Sequence, residues 1–273
     1  MKTLLVMVAV LLLVFSAFGT AFAEEASDYI PKLKTLIHKT SAMETTDDGS
    51  IGLSYRLGSS SSAFRTFAKD GKEDCMIIFK VSGNPAQVGF TDLGCDGELD
   101  ILSFKNPETK KSIVTRKFPQ KWQSMYEKLL GRHIIVAYVA GKGFPADHKS
   151  YKVPSVKVSK LIKRLLETKA VEMDEGAHRF SYSVGSVFAS FGFDDSLKKS
   201  SHKLCTMMYT STKESNESIV QLVDYDCNGQ VDEWKPGSKK PRAAEKKQQL
   251  LYEATLGETY LFLSAAQFIE KNN

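Results

Sequence analysis

The strongest chemical pattern in the sequence is a run of oxygen-bearing side chains at residues 224–234, DYDCNGQVDEW. Counted from its first residue, positions 1, 3, 5 and 9 are Asp224, Asp226, Asn228 and Asp232. Gly229 holds position 6, where a calcium loop needs a sharp turn, and Gln230 at position 7 offers a backbone carbonyl. Because Ca²⁺ prefers oxygen ligands, this spacing predicts a calcium site.

A second run, DLGCDGELD, repeats much of this pattern in the first half of the chain. Its candidate metal ligands are Asp92, Asp96 and Asp100. Gly97 keeps the turn position, but Gly94 stands at position 3, where the other run has Asp226. Since one carboxylate is lost, we expect any calcium binding to be tighter at the second run.

The run from Asp224 resembles the broad D-x-D-x-[DN]-G class of calcium loops, and this resemblance implies a weak, fold-stabilising ion site. It is not an EF-hand loop, because position 12 is Lys235 rather than a bidentate Glu and the flanking sequence is strand-like. The alternative is a two-residue hairpin turn, which Asn-Gly and Asp-Gly both favour. In such a hairpin Asp224 and Asp232 point to opposite faces, whereas in a calcium loop their carboxylates converge.

The N-terminus has the pattern of a secretory signal peptide. Lys2 precedes an apolar run at 4–18, and Ala21-Phe22-Ala23 is a small-x-small cleavage site. We therefore expect residues 1–23 to be removed and the mature protein to be secreted or periplasmic, with no transmembrane segment. A retained membrane anchor is the alternative. No cysteine follows the signal directly, which excludes a bacterial lipoprotein anchor.

The cysteine count indicates disulfides, because an even number in a secreted chain is typical of them. The four are Cys75, Cys95, Cys205 and Cys227. They fall into two pairs with matching sequence neighbours, so the predicted bridges are Cys75–Cys95 and Cys205–Cys227. Each would close a loop of about 20 residues and stabilise the fold by roughly 3 kcal/mol. A reactive or metal-binding thiol set is the alternative, but C-x-x-C spacing is missing.

The chain carries the marks of an internal duplication. LSYRLG at 53–58 matches FSYSVG at 180–185, and CMIIF at 75–79 matches CTMMY at 205–209. CDGELD at 95–100 matches CNGQVD at 227–232, and YEKLLG at 126–131 matches YEATLG at 252–257. These matches lie at offsets of 127, 130, 132 and 126 residues and keep the same order. We therefore predict repeat domains at 24–142 and 155–273, joined by a linker at 143–154.

The predicted fold class is α+β: two tandem homologous repeats, each a small antiparallel β-sheet with an N-terminal and a C-terminal helix. Apolar spacing predicts a first helix in each half, near Leu33–Ile37 and Val158–Leu166. Predicted strands are 51–57, 75–81, 86–93, 98–104, 180–183, 204–210, 218–225 and 230–234. Closing helices are predicted at 119–130 and 241–256, and the apolar runs after them fit either a strand or more helix. The serine-rich stretch at 58–64 is predicted to be a flexible loop.

No catalytic signature is present, since the sequence has no G-x-S-x-G elbow, H-E-x-x-H pair or phosphate-binding glycine loop. We expect a non-catalytic binding or interaction protein, with an unknown protein or an anionic polymer as partner and no genomic nucleic acid. One alternative is an envelope hydrolase with a site between the domains. A second is a binder of anionic surface polymers through basic clusters at 110–117, 157–169 and 239–247. The net charge of +5, or +4 without Lys2, supports this only weakly.

Overall fold

The computed structural model describes most of the chain after the predicted signal peptide. The described residues are 26–58, 60–69, 71–81, 87–105, 111–147, 156–168, 172–174, 177–194, 203–211, 219–237 and 239–271. The predicted signal at 1–23 and most of the predicted linker, from 148 onward, lie outside them. The predicted domain boundaries therefore stay predictions.

Four α-helices occur in the described residues. They are α1 Ala26–Ile37, α2 Lys121–Gly143, α3 Val158–Leu166 and α4 Lys246–Lys271. The apolar runs that the sequence left open, at 134–140 and 260–266, are helical and extend α2 and α4. None of the described helices combines the length and the apolar character that crossing a membrane requires.

Fourteen strands form the rest of the described fold. They are β1 Glu44–Thr45, β2 Ile51–Leu57, β3 Ser60–Lys69, β4 Lys72–Val81, β5 Gln87–Leu93, β6 Ile101–Lys105, β7 Ser112–Thr115, β8 Glu172–Asp174, β9 Ala177–Val184, β10 Val187–Asp194, β11 Leu204–Ser211, β12 Val220–Asp224, β13 Glu233–Pro236 and β14 Arg242–Ala243. All eight predicted strands have a counterpart among them. The prediction of a flexible loop at 58–64 is wrong, because most of this stretch lies in β3. Ser62 and Phe64 alternate inward there, so burial outweighs the low strand propensity of serine.

The two small, separate sheets predicted from the sequence are a wrong expectation, since the structure has one continuous antiparallel sheet. Its order is β14-β13-β12-β11-β10-β9-β2-β3-β4-β5-β6-β7, with β1 added to β2 and β8 to β9. The central pair β2–β9 joins the first half of the chain to the second, with Arg56 opposite Ser183. The α+β class itself is confirmed.

The helices lie on one face of this sheet, and alternation along the strands supplies that face with apolar side chains. Leu53, Tyr55 and Leu57 of β2 are buried, as are Phe180, Tyr182 and Val184 of β9. Tyr182 stacks on Phe262 of α4 with ring centroids 4.5 Å apart. Helix α2 packs against both α1 and α4, so the four helices form a layer that covers the centre of the sheet.

Candidate metal centre

Each acidic run follows a strand and is tied to the neighbouring strand by a disulfide. The predicted bridges Cys75–Cys95 and Cys205–Cys227 are confirmed, with Cα–Cα distances of 5.2 and 5.3 Å. Cys95 and Cys227 both adopt a left-handed backbone, each with φ of 55°. A side chain at such a φ costs about 1 kcal/mol, so the disulfide fixes a conformation that cysteine does not favour by itself.

Asp224 ends β12 and is the buried centre of the second loop. One of its carboxylate oxygens accepts from the Asn228 backbone N–H at 3.1 Å. The other accepts from the Gly229 N–H at 2.9 Å and the Tyr252 hydroxyl at 3.2 Å. Burial raises the pKa of Asp224, although these hydrogen bonds act in the opposite direction. The site therefore holds a carboxylate that is short of compensating positive charge.

Asp226 and Asp232 bring two exposed carboxylates to the same place. One oxygen from each of Asp224, Asp226 and Asp232 lies within 4.8 Å of the other two. Asp232 also accepts from the Tyr225 N–H at 2.8 Å. Partial desolvation acts to raise the pKa of Asp226, but hydrogen bonds from the Asn228 side chain and backbone outweigh it and lower that pKa. This arrangement can take a hard cation such as Ca²⁺.

The convergence of these carboxylates contradicts the two-residue hairpin. Strand β12 ends at Asp224 and β13 begins at Glu233, so eight residues, 225–232, separate the two strands. The longer connection turns Asp224 and Asp232 toward each other. The hairpin alternative is wrong because the backbone N–H groups of Asn228 and Gly229, the residues of the predicted turn, bond to the Asp224 side chain.

Asn228 and Gln230, which the sequence predicted as calcium ligands, form hydrogen bonds within the loop. The Asn228 side-chain oxygen accepts from the Gln230 N–H at 2.7 Å, and its amide nitrogen donates to Asp226 at 2.8 Å. These contacts stiffen the loop around the three carboxylates. A direct role for Asn228 or Gln230 as a calcium ligand stays a prediction.

Helix α4 holds the loop through residues that the sequence reasoning missed. The Gln249 side-chain oxygen accepts from the Val231 N–H at 2.9 Å, and its nitrogen donates to the Gly229 carbonyl at 2.9 Å. Tyr252, one turn later, donates to Asp224. The available signal was the motif Q-x-x-Y-E, which occurs in α4 at 249–253 and in α2 at 123–127.

The first loop has the same support, and its buried centre is Asp92, the counterpart of Asp224. Asp92 accepts from the Gly97 N–H at 2.9 Å and from the Tyr126 hydroxyl at 3.0 Å. Gln123 of α2 binds the Leu99 N–H at 2.8 Å and the Gly97 carbonyl at 3.0 Å. Burial again raises the pKa of the central carboxyl, here that of Asp92.

The difference between the loops lies at position 3. Gly94 has a φ of 93°, which disfavours any side chain, whereas Asp226 is not among the residues with positive φ. Among the residues that the structure describes, the second loop is the one place where three acidic, histidine or cysteine side chains come within 4.8 Å of one another. Asp92, Asp96 and Asp100 do not converge in this way, and their role as ligands stays a prediction.

A buried Ser–His pair lies elsewhere, between β3 and α2. The Ser62 hydroxyl lies 2.9 Å from His133 Nε2 and donates to the Ile78 carbonyl at 3.0 Å. The donor and acceptor roles of Ser62 and Nε2 depend on the histidine tautomer, and Nδ1 has no partner among the described residues. Burial lowers the pKa of His133 to about 3. Both side chains are buried, which makes the pair a packing feature of the core.

Neither a scan against protein-family models nor a search of the curated proteins gives a match for this chain. The acidic loop at 224–232 is the described feature that most directly indicates a ligand, because the carboxylates of Asp224, Asp226 and Asp232 converge there.

Proposed function

We propose that the protein is a secreted or periplasmic, non-catalytic binding protein of two homologous halves, and that calcium stabilises the second acidic loop. The convergence of Asp224, Asp226 and Asp232 carries the proposal. A bare turn needs no such cluster, and bringing three carboxylates together is unfavourable unless a cation offsets their repulsion. Extracellular calcium modules bind weakly, with Kd of about 0.1–1 mM, and serve mainly to stiffen the fold.

The disulfides support the compartment. Cys75–Cys95 and Cys205–Cys227 fit an extracellular protein, because bridges of this kind persist in oxidising surroundings. The proposal of secretion adds the N-terminal sequence, with its apolar run and small-x-small site.

The pairing between β2 and β9 supports the duplication. Tyr55 lies opposite Val184 and Leu57 opposite Tyr182, so positions related by the offset of 127 exchange places across the pair. The flanking bonds follow the same rule: Gly58 N–H donates to the Ser181 carbonyl at 3.2 Å, and Gly185 N–H donates to the Ser54 carbonyl at 3.0 Å. Such two-fold symmetry is what two copies of one unit produce when the same edge meets itself.

The buried titratable groups support binding over catalysis. Asp92 and Asp224 are each held by backbone N–H groups and a tyrosine hydroxyl, which is a structural use of a carboxylate. The Ser62–His133 pair is buried, and burial lowers the pKa of His133 to about 3, which makes it a weak general base. The envelope-hydrolase alternative therefore gains no support from these groups.

The first and third basic clusters lie far apart along the sheet. The described part of the first lies at β7 and that of the third at β14, which are the opposite ends of the sheet order. Eleven strand-to-strand steps of about 4.8 Å put them roughly 50 Å apart along the sheet. A single anionic polymer segment would need to cross the whole sheet to reach both.

The test is a thermal melt of the mature protein in about 10 mM CaCl₂ and in chelator, for wild type and for Asp226→Asn. Saturation about 10- to 100-fold above Kd stabilises by roughly 1.4–2.7 kcal/mol, which raises the Tm by about 3–11 °C in a chain of this size. Asp226→Asn should reduce this rise, because the amide keeps an oxygen ligand but loses the negative charge.

The matched control is Asp96→Asn, which removes an exposed carboxylate from the first loop and should keep the calcium-dependent rise. A wild-type Tm that is the same with calcium and with chelator would remove the ion from the proposal. Equal rises in wild type and Asp226→Asn would place any bound calcium outside this loop.

A further inference from the structure

The last strand of the sheet, β7, has an open edge. It pairs with β6 through Leu102–Thr115 and the three positions that follow, and the described residues place no strand on its other side. An edge strand presents a row of backbone N–H and C=O groups that can pair with an incoming strand.

The apolar row across the sheet is incomplete at this edge. On the helix-covered face, Val88 of β5 lies opposite Phe104 of β6, and Phe104 lies opposite Ile113 of β7. Val88 and Phe104 are half-buried against the core, and Phe104 contacts Trp122 at a centroid distance of 5.3 Å. Ile113 is 68% exposed and Val114, on the other face, is 63% exposed. One more strand would bury both side chains.

The charged residues of the described segment 111–117, which contains β7, are all positive. The segment KSIVTRK at 111–117 holds three cationic residues and no acid. Arg116 and Lys117 are exposed, and neither forms an ion pair within the described part of the chain. An extended segment with acidic residues beside an apolar centre complements this edge.

The same charges disfavour a second copy of this chain. If two β7 edges met antiparallel about the Ile113–Val114 step, Lys111 of each copy would lie opposite Arg116 of the other. Directly opposed like charges destabilise strand pairing, and cations at an edge are a common device against self-association. The other end of the sheet is protected differently, since β14 has only two residues and follows Pro241.

We propose that the open edge of β7 is a docking site for an extended, acidic segment of another protein, which adds to the sheet as an antiparallel or parallel strand. This inference rests on the proposed function as a binding protein and names the chemistry of its partner. Backbone pairing along Ser112–Thr115 provides affinity, Ile113 and Val114 provide apolar contacts, and Arg116 and Lys117 select acidic ends.

The test is a titration of the disulfide-bonded mature protein with a fluorescein-labelled eight-residue peptide, Glu-Glu-Val-Thr-Val-Thr-Glu-Glu. We expect saturable binding that weakens about tenfold or more in the double variant Arg116→Glu/Lys117→Glu. Lys239→Glu/Lys240→Glu at the opposite end changes the net charge equally and should bind within about twofold of wild type. Ile113→Ser should weaken binding, whereas Ile219→Ser, at another exposed isoleucine, should not.

Amide hydrogen exchange gives the second measurement. Bound peptide should slow exchange within Ser112–Thr115, which a purely electrostatic contact would not do. Three outcomes would overturn the proposal: no binding, equal binding of the same peptide with Lys in place of Glu, or equal loss in both double variants. Wild-type self-association that Ile113→Ser abolishes would also overturn it, in favour of a second copy. Calcium-dependent melting of the same samples tests the proposed calcium site separately, so the calcium site and the docking site can fail independently.

Discussion

At the scale of single residues, Asp224 shows why the second loop is suited to a cation. Its carboxylate receives three hydrogen bonds, yet burial still raises its pKa, so the fold holds a group that resists ionisation. Two further carboxylates stand within 4.8 Å. A divalent ion would favour the ionised form of all three, which converts an electrostatic cost into binding energy.

His133 makes the clearest pH prediction. Its pKa is lowered to about 3 by burial and by the nearby Arg132, so the folded state keeps it neutral while the unfolded chain protonates near pH 6.5. The stability it contributes is complete above about pH 6.5 and is lost as the pH falls toward about 3, at roughly 1.4 kcal/mol per pH unit. The His133→Gln variant should have a lower free energy of unfolding than wild type at neutral pH, and that free energy should fall less steeply in acid. Denaturant unfolding at several pH values measures both.

The control for this prediction is His38→Gln, which changes an exposed histidine on the surface after α1. Its acid decline should match that of the wild type. An equally steep decline in His133→Gln would show that the buried imidazole does not control this part of the acid sensitivity.

The sequence allowed the acidic residues and the disulfide pairs to be predicted because both depend on local spacing. Gln249 and Tyr252 escaped prediction for a physical reason. Their partners, Val231, Gly229 and Asp224, are reached only after α4 has packed against the loop, and helix periodicity does not specify those contacts. The recurrence of Q-x-x-Y-E in α2 and α4 becomes meaningful once that geometry is known.

At the scale of elements, each closing helix acts as a support for one acidic loop. Replacing Gln249 with Ala removes a side chain that satisfies a backbone donor and a backbone acceptor. We expect a loss of about 1–3 kcal/mol, because unmet backbone groups are costly, together with weaker calcium binding. Chemical denaturation with and without calcium measures both effects.

Gln123→Ala is the matched control, since Gln123 makes the equivalent contacts with the first loop. Gln123→Ala should lose a similar amount of stability, but the additional stability that calcium provides should stay unchanged. If both variants reduced the stabilisation by calcium equally, calcium would have to bind at both loops or at neither.

The misassigned element, β3, shows the limit of local propensity. Three serines at its start predict a loop, but each is placed on a ladder between β2 and β4, and the inward side chains Phe64 and Thr66 are buried. The helical runs at the ends of α2 and α4 were undecided for a related reason. Apolar residues on nearly every side fit both a buried strand and a buried helix, and only packing distinguishes the two.

At the scale of the whole molecule, the junction of the two halves was beyond the sequence. Repeats predict two like units, but nothing in their spacing says which edges meet. In the structure β2 and β9 meet, and the glycines that end these strands, Gly58 and Gly185, are left-handed with φ of 56° and 54°. The backbone there turns away within one residue of the shared ladder.

Gly185→Ala tests how tightly this junction is packed. An added Cβ would lie 2.1 Å from the Ala42 carbonyl oxygen, which is backbone and cannot move freely. We expect a loss of about 3 kcal/mol or more, combining that overlap with the cost of a left-handed alanine. Thermal melting should show a Tm lower by about 6–12 °C.

Gly237→Ala is the control because Gly237 has nearly the same φ, 55°, with no atom within 4 Å of an added Cβ. It should cost only about 1 kcal/mol. Similar losses in the two variants would mean that the contact with Ala42 is not tight.

Each disulfide lies within its own half of the chain. The junction between the halves is held by the β2–β9 strand pairing, the two hydrogen bonds donated by Gly58 and Gly185, and the packing of α2 against α4. A proteolytic nick between the halves would therefore sever their one covalent connection without undoing the assembly. The two fragments would stay associated in native buffer and would separate in denaturant, even without a reductant. The continuous sheet, rather than the covalent chain, holds the two halves together.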